Sequence, residues 1–145
     1  MNGRPISQAL AARLHAARVA RLATLGTQYP HVVPVCFVYD GAVFYTAVDR
    51  KPKRVAPQQL ARLRHIRSSP EVALLVDHYD EDWTRLWFVL ARGKAALVPR
   101  SKGRERAEAI RLLKAKYPQY AAGMLSDDAP LIRITPEGIV SWGRI

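Results

Sequence analysis

Between Val19 and Val48, three β-rich segments follow one another with only tight turns between them, and this succession constrains the fold more than any other feature of the chain. Val19 to Leu25 alternates loosely and stops at Gly26-Thr27-Gln28. His31 to Tyr39 resumes and closes at Asp40-Gly41, and Ala42 to Val48 returns. An Asp-Gly pair between β-rich flanks is a hairpin signal, because these residues tolerate the positive φ of a tight primed turn. Parallel neighbours would need a helical crossover after nearly every strand, and the chain has none here. Antiparallel pairing is the expectation.

The remaining segments fit the same scheme. Ser7 is placed to cap a helix over Gln8 to Ala17, with Leu10, Leu14 and Ala17 on one face. Asp49 to Arg54 is a charged loop leading into a helical stretch where Leu60, Leu63 and Ile66 or Arg67 recur, stopped by Ser68-Ser69-Pro70. Glu71 to His78 reads as a buried strand, Asp80-Glu81-Asp82 as a solvated acidic loop, and Leu86 to Leu97 as a strand broken at Gly93. Ser101 to Lys116 reads as an amphipathic helix with Ala107, Ile110 and Leu113 or Lys114 in register. Leu131 to Thr135 and Gly138 to Trp142 read as a terminal hairpin around Pro136-Glu137. The order α-β-β-β-α-β-β-α-β-β predicts a mainly β antiparallel barrel with helices packed outside it. Its 145 residues fit a single domain, 1–145.

Several function classes are excluded at this level. The longest apolar runs, Val32 to Tyr39 and Val72 to Val76, fall far short of the roughly 20 residues that cross a bilayer. No signal-peptide run opens the chain, so a soluble cytoplasmic protein with no membrane partner is expected. A single cysteine, Cys36, excludes an intrachain disulfide and a Cys-rich zinc site. His15, His31, His65 and His78 lack metal-ligand spacing, and no nucleophile-elbow, metalloprotease or dinucleotide motif occurs. Charge is uneven: residues 1–70 carry 11 basic side chains against 2 acidic, whereas residues 71–145 carry 12 against 10. Such a field draws anions, whether nucleic acid, a membrane surface or a phosphorylated small molecule, although solubility alone accounts for the same charge.

Two local features ask for explanation. Pro34 lies inside a strand-like run and cannot donate to a ladder, so that strand is an edge or is bulged, with backbone groups free to face a ligand. The run Tyr45 to Arg54 delivers Lys51, Lys53 and Arg54 beside a helix start, chemistry suited to a phosphate, although a solvated basic loop has the same composition.

In order along the chain, Arg21-Leu22-Ala23-Thr24-Leu25-Gly26 with Pro30-His31-Val32-Val33-Pro34-Val35, Phe44-Tyr45-Thr46 with Lys51-Pro52-Lys53-Arg54, Leu63 to Asp77, Trp83 to Trp87 and Gly93-Lys94-Ala95 carry a resemblance. The pattern resembles the pyridoxamine 5'-phosphate oxidase-like split β-barrels, and more narrowly their coenzyme F(420)-dependent branch. It runs from about residue 7 to the terminal Gly138 to Gly143. The resemblance implies a six- to seven-stranded antiparallel split β-barrel with flanking helices, and a homodimer with cofactor clefts at the interface between two copies. It places Val33, Pro34, Val35, Cys36 and Phe37 beside the ring of coenzyme F(420) or FMN. Thr46, Lys51, Lys53 and Arg54 would hold the phosphate, and Asp77, His78, Tyr79 and Trp87 would complete the pocket. One departure is that relatives place Asn in the helical turn after the basic pair, whereas Val55-Ala56 stand here.

A cofactor that is itself the hydride donor explains why no catalytic residue is evident. The protein need only bind it, orient a small-molecule substrate and exclude water, and Tyr79, Trp83 and Trp87 are candidates to wall the substrate side. The expectation is a deazaflavin F(420)-dependent oxidoreductase, with an FMN enzyme or a non-enzymatic cofactor carrier as alternatives. The basic first half favours the longer anion, F(420). Nucleic acid is not an expected partner, since no reading module is present.

Overall fold

The computed structural model describes residues 6–49 and 57–145. Helix α1 (Gln8–Ala16) precedes β1 (Ala20–Leu25), β2 (Pro30–Val35), β3 (Val38–Tyr39) and β4 (Phe44–Ala47). Helix α2 (Pro57–Ser68) leads into β5 (Glu71–His78) and β6 (Trp87–Leu97), and α3 (Gly103–Lys116) into β7 (Leu131–Gly143). The seven strands form one antiparallel sheet in the order β2-β1-β5-β6-β7-β4-β3.

That order makes the barrel. Strands β2 and β3 occupy opposite edges of the sheet, yet only Cys36 and Phe37 separate them, a reach of about 11 Å at most. The sheet must curl until its edges meet, which gives the expected split β-barrel. Reading His31 to Tyr39 as one strand is corrected here, because the chain leaves the sheet at Cys36 and re-enters on its far edge. Side chains from elsewhere satisfy the corner's backbone. Phe37 N–H donates to the Tyr117 hydroxyl at 3.0 Å, and the same hydroxyl lies 3.1 Å from the Phe37 carbonyl. Thr46 Oγ1 donates to the Cys36 carbonyl at 2.7 Å.

Inside the curl, Leu22, Leu74, Val76, Val89, Ile132 and Ile134 pack with Phe37 and Phe44, and α1 adds Leu10 and Leu14. Ser7 caps α1 as expected, its side chain accepting from Leu10 N–H. Outside, α3 lays Ala109, Ile110 and Leu113 on Val38, Tyr45, Ala47 and Leu131. Its buried face also takes Arg106, while Ala107, expected to point inward, is exposed. Arg106 is held by the carbonyls of Val98, Asp127 and Ala129. Arg133 of β7 donates to both Glu105 oxygens at 2.9 and 2.7 Å, and the Tyr45 hydroxyl donates to the same carboxylate at 2.8 Å, tying α3 to β7 and β4.

The Asp40-Gly41 turn is present, with Asp40 Oδ1 accepting from the N–H groups of Ala42 and Val43 and Gly41 at φ +102°. The terminal hairpin is not. Residues 131–143 form one strand along β6, and Pro136 sits at a bulge opposite the Arg92/Gly93 step. A Cβ at Gly93 would lie 2.0 Å from the Thr135 carbonyl oxygen, so only glycine admits this approach. Among the described residues, no helix is long and apolar enough to cross a membrane.

Candidate functional site

Pro34 does what a proline in a strand must: β2 is an edge, hydrogen-bonded to β1 alone. Its inward residues His31, Val33 and Val35 alternate with the outward Pro30, Val32 and Pro34. The strand runs into the corner that Tyr117 and Thr46 hold. A length of backbone with one free edge is thereby fixed in place, with Cys36 half-buried and Phe37 wholly buried at its end. Cys36 thus lies between two strands rather than in the middle of one.

Register places three further candidates at the same end of the sheet. Arg21 stands opposite Pro34 on one side and Leu75 on the other, and its Nη1 donates to Asp77 Oδ1 at 2.8 Å. His78 pairs with Trp87 across the ladder and its ring stacks on the indole, centroids 6.2 Å apart and planes 19° off parallel. Trp87 is buried under the Arg13 guanidinium, 5.7 Å above the ring. Tyr79 is exposed in the β5–β6 connection, as is Trp83.

Thr46 is buried and its hydroxyl is spent on Cys36, so it acts on the corner's backbone. Lys51, Lys53 and Arg54 lie outside the described residues. Asp49, which precedes them, is buried and accepts a short hydrogen bond from the Tyr120 hydroxyl. Burial, and then this bond, push the Tyr120 phenol well above its ordinary range. Burial also raises the Tyr117 phenol to about 12, and it lowers the Lys116 ammonium to about 8 where that group sits 3.9 Å from the centre of the Phe37 ring. Tyr117, Tyr120 and Lys116 are the supports that sequence reasoning missed. Their spacing at the end of α3 and just beyond it carries no motif, and the role of Tyr117 depends on a corner 80 residues away.

The outer side of β2, β1, β5 and β6 and the end of β7 is open. Leu25, Val32, Val140 and Trp142 are 52, 60, 50 and 53% exposed on it, and Phe88 stacks on Trp142 at 5.9 Å. Ala23, Ala73, Gly93 and Gly138 floor a groove of about 540 Å³ on this face, rimmed by Glu71, Arg92 and Glu137, at the end away from the corner. Among the described residues, no cluster of three or more His, Cys, Asp or Glu side chains could hold a metal ion.

The fold recurs in solved structures. The conserved hypothetical protein Rv2991 of Mycobacterium tuberculosis superposes with a TM-score of 0.72 at 20% identity, covering 99% of this chain and 90% of that one. A FAD-binding protein of Mesorhizobium loti gives 0.67 at 23% identity, covering 95% of each chain. The heme storage protein HutZ of Vibrio cholerae gives 0.70 at 16% identity, covering 94% of each. No curated protein matches the sequence. The family model for pyridoxamine 5'-phosphate oxidase matches residues 7–138, which takes in every strand but the last residues of β7, and the chain belongs to that family.

Proposed function

We propose that the chain is an oxidoreductase that binds coenzyme F(420) along β2 and transfers a hydride between it and a small organic acceptor. The observation that carries this reading is the fixed free edge of β2, running into a corner whose backbone is held by Tyr117 and Thr46. Such an edge offers N–H and C=O groups at set positions to the polar rim of a flat heterocycle. A bound deazaflavin or flavin supplies the hydride itself. What the chain contributes is position: the β2 edge for the ring, Asp77, His78, Tyr79 and Trp87 around it, and Lys51, Lys53 and Arg54 for the phosphate.

A flavin in the same place is the second reading, favoured by the Mesorhizobium loti neighbour's description as FAD-binding. The open outer face supports a homodimer in which a second copy covers Leu25, Val32, Val140 and Trp142, since exposed apolar patches of this kind mark interfaces.

Spectroscopic titration with F(420), FMN and FAD tests the reading. Tight F(420) binding with oxidation of the reduced form by enones or quinones supports it; nanomolar flavin binding with no F(420) binding replaces it with the second. Tight binding of either with no turnover makes the protein a carrier. The Lys51→Ala, Lys53→Ala double variant should weaken the cofactor at least about a hundredfold, by loss of two charge-assisted bonds.

A further inference from the structure

The sequence carries a second basic run, Arg100, Lys102, Arg104 and Arg106, that the reading of β2 does not use. In the fold this run opens α3, the helix that covers Val38, Tyr45, Ala47 and Leu131 on the outside of the sheet. Gly103, Ala107, Ile110 and Lys114 recur at helical spacing and form one stripe along α3. That stripe floors a groove of about 520 Å³, and Asp127, in the turn at 126–129, lines its other side. Arg100, Arg106 and Arg111 line it as well, so four cations share the groove with one carboxylate.

Arg106 distinguishes this groove from a solvated helix face. Its side chain is 8% exposed, and its guanidinium donates to the carbonyls of Val98, Asp127 and Ala129 at 3.2, 3.2 and 2.7 Å. Carbonyls hold a guanidinium in place without neutralising it, and the group stays charged wherever it is put. A fixed positive charge therefore lies at the base of the groove. The cations above it are paired at the surface: Arg111 with Glu108 at 2.6 Å, Lys114 with Asp127 at 2.8 Å and Arg100 with Asp128 at 4.0 Å. Exposed pairs of this kind are worth little, so an incoming carboxylate can exchange into them. Lys102 and Arg104, both exposed, extend the positive face at the start of α3.

We propose that this groove docks an acidic segment of a partner protein. Carboxylates of the segment meet Arg100, Arg111 and Lys114 over the fixed charge of Arg106, and an apolar side chain rests on Ala107 and Ile110. From Gly103 to Lys114 the helix rises about 16 Å, the span of about five extended residues. Two features favour a peptide over a nucleic-acid strand. The floor between the cations is apolar, and among the described residues that line it none is an aromatic on which a base could stack. Asp127 is an acceptor, which suits the N–H groups of a peptide and repels a phosphate. The proposal concerns the outer side of α3 and does not rest on the oxidoreductase reading.

The test is fluorescence anisotropy of the whole protein with a labelled peptide, Glu-Asp-Leu-Glu-Glu-Leu-Asp-Glu, at fixed ionic strength. Its Gln/Asn counterpart and a single-stranded DNA of the same net charge run beside it. Wild type should bind the acidic peptide and not the neutral one. Arg111→Glu with Lys114→Glu should weaken that binding at least tenfold. Ala107→Glu, which puts a carboxylate on the exposed floor, should weaken it by a similar factor, and decides the matter if the double variant does not fold. Arg64→Glu with Arg67→Glu changes the net charge equally at exposed positions of α2, and should change the affinity less than twofold. Equal losses in the two double variants would reduce the attraction to net charge and overturn the groove. So would a wild type that binds neither peptide, or DNA bound more tightly than the peptide through the same Arg111 and Lys114.

Discussion

Strands β1 and β4 belong to one sheet and differ in what lies behind them. All four residues of β4 are buried, whereas β1 buries Ala20, Leu22 and Thr24 and turns Arg21 and Leu25 outward. The inner faces of both strands serve the same core. The contrast comes from α3, which covers Val38, Tyr45, Ala47 and Leu131 on the outside, while nothing in the described chain covers Leu25, Val32, Val140 or Trp142. An apolar outer face is thus completed from within the chain on one flank. On the other flank it is left for something else, and a second copy is the proposed occupant.

The sharpest way to break this contrast is to damage each flank and ask which property fails. Leu113→Ala removes a fully buried α3 contact and should cost about 2–5 kcal/mol in urea unfolding. Val140→Asp should leave the protomer folded but weaken self-association on the order of a hundredfold in sedimentation, since a carboxylate cannot be buried unpaired; an unchanged dimer would place the interface elsewhere. Tyr117→Phe strips the corner of the hydroxyl that serves Phe37 and should cost about 1–3 kcal/mol, with faster hydrogen exchange at the Phe37 amide.

A pH series sharpens the interior side. Burial, His65 and Arg62 hold the His31 pKa below its ordinary 6.5, so the unfolded chain takes up a proton before the native one does. Stability should therefore be undiminished above 6.5 and decline as pH falls below it, and His31→Gln should flatten that decline in thermal scans. The smallest effect belongs to the bare flank: Leu25→Ala should shift protomer stability by less than about 0.5 kcal/mol.

What could be read in the sequence was whatever neighbours in the chain decide. Pro34 marked the edge strand and Asp40-Gly41 the hairpin, because both act through local backbone geometry. Pro136-Glu137 misled for the same reason. The pair has the composition of a turn, but β6 supplies a partner along the whole of 131–143, and the bulge at Gly93 absorbs the proline. The break at Cys36-Phe37 left no local mark, since Tyr117 and Thr46 hold it from a distance. In the candidate site, the register of β1, β2, β5 and β6 puts Asp77, His78 and Trp87 at the end of the sheet where β2 runs into the corner. Arg62 escaped notice because an arginine on an amphipathic helix reads as solvated surface, yet it is buried.

The corner also bears on how the chain assembles. Its two flanking strands are consecutive in sequence yet occupy opposite edges of the sheet, with β1, β5, β6, β7 and β4 between them in the ladder. The bond that seals them joins residues 80 positions apart. Chains dominated by such distant pairings fold in milliseconds to seconds rather than microseconds. Throughout that interval unpaired strand edges and the bare flank are exposed, so crowded refolding should yield aggregate where dilute refolding yields barrel.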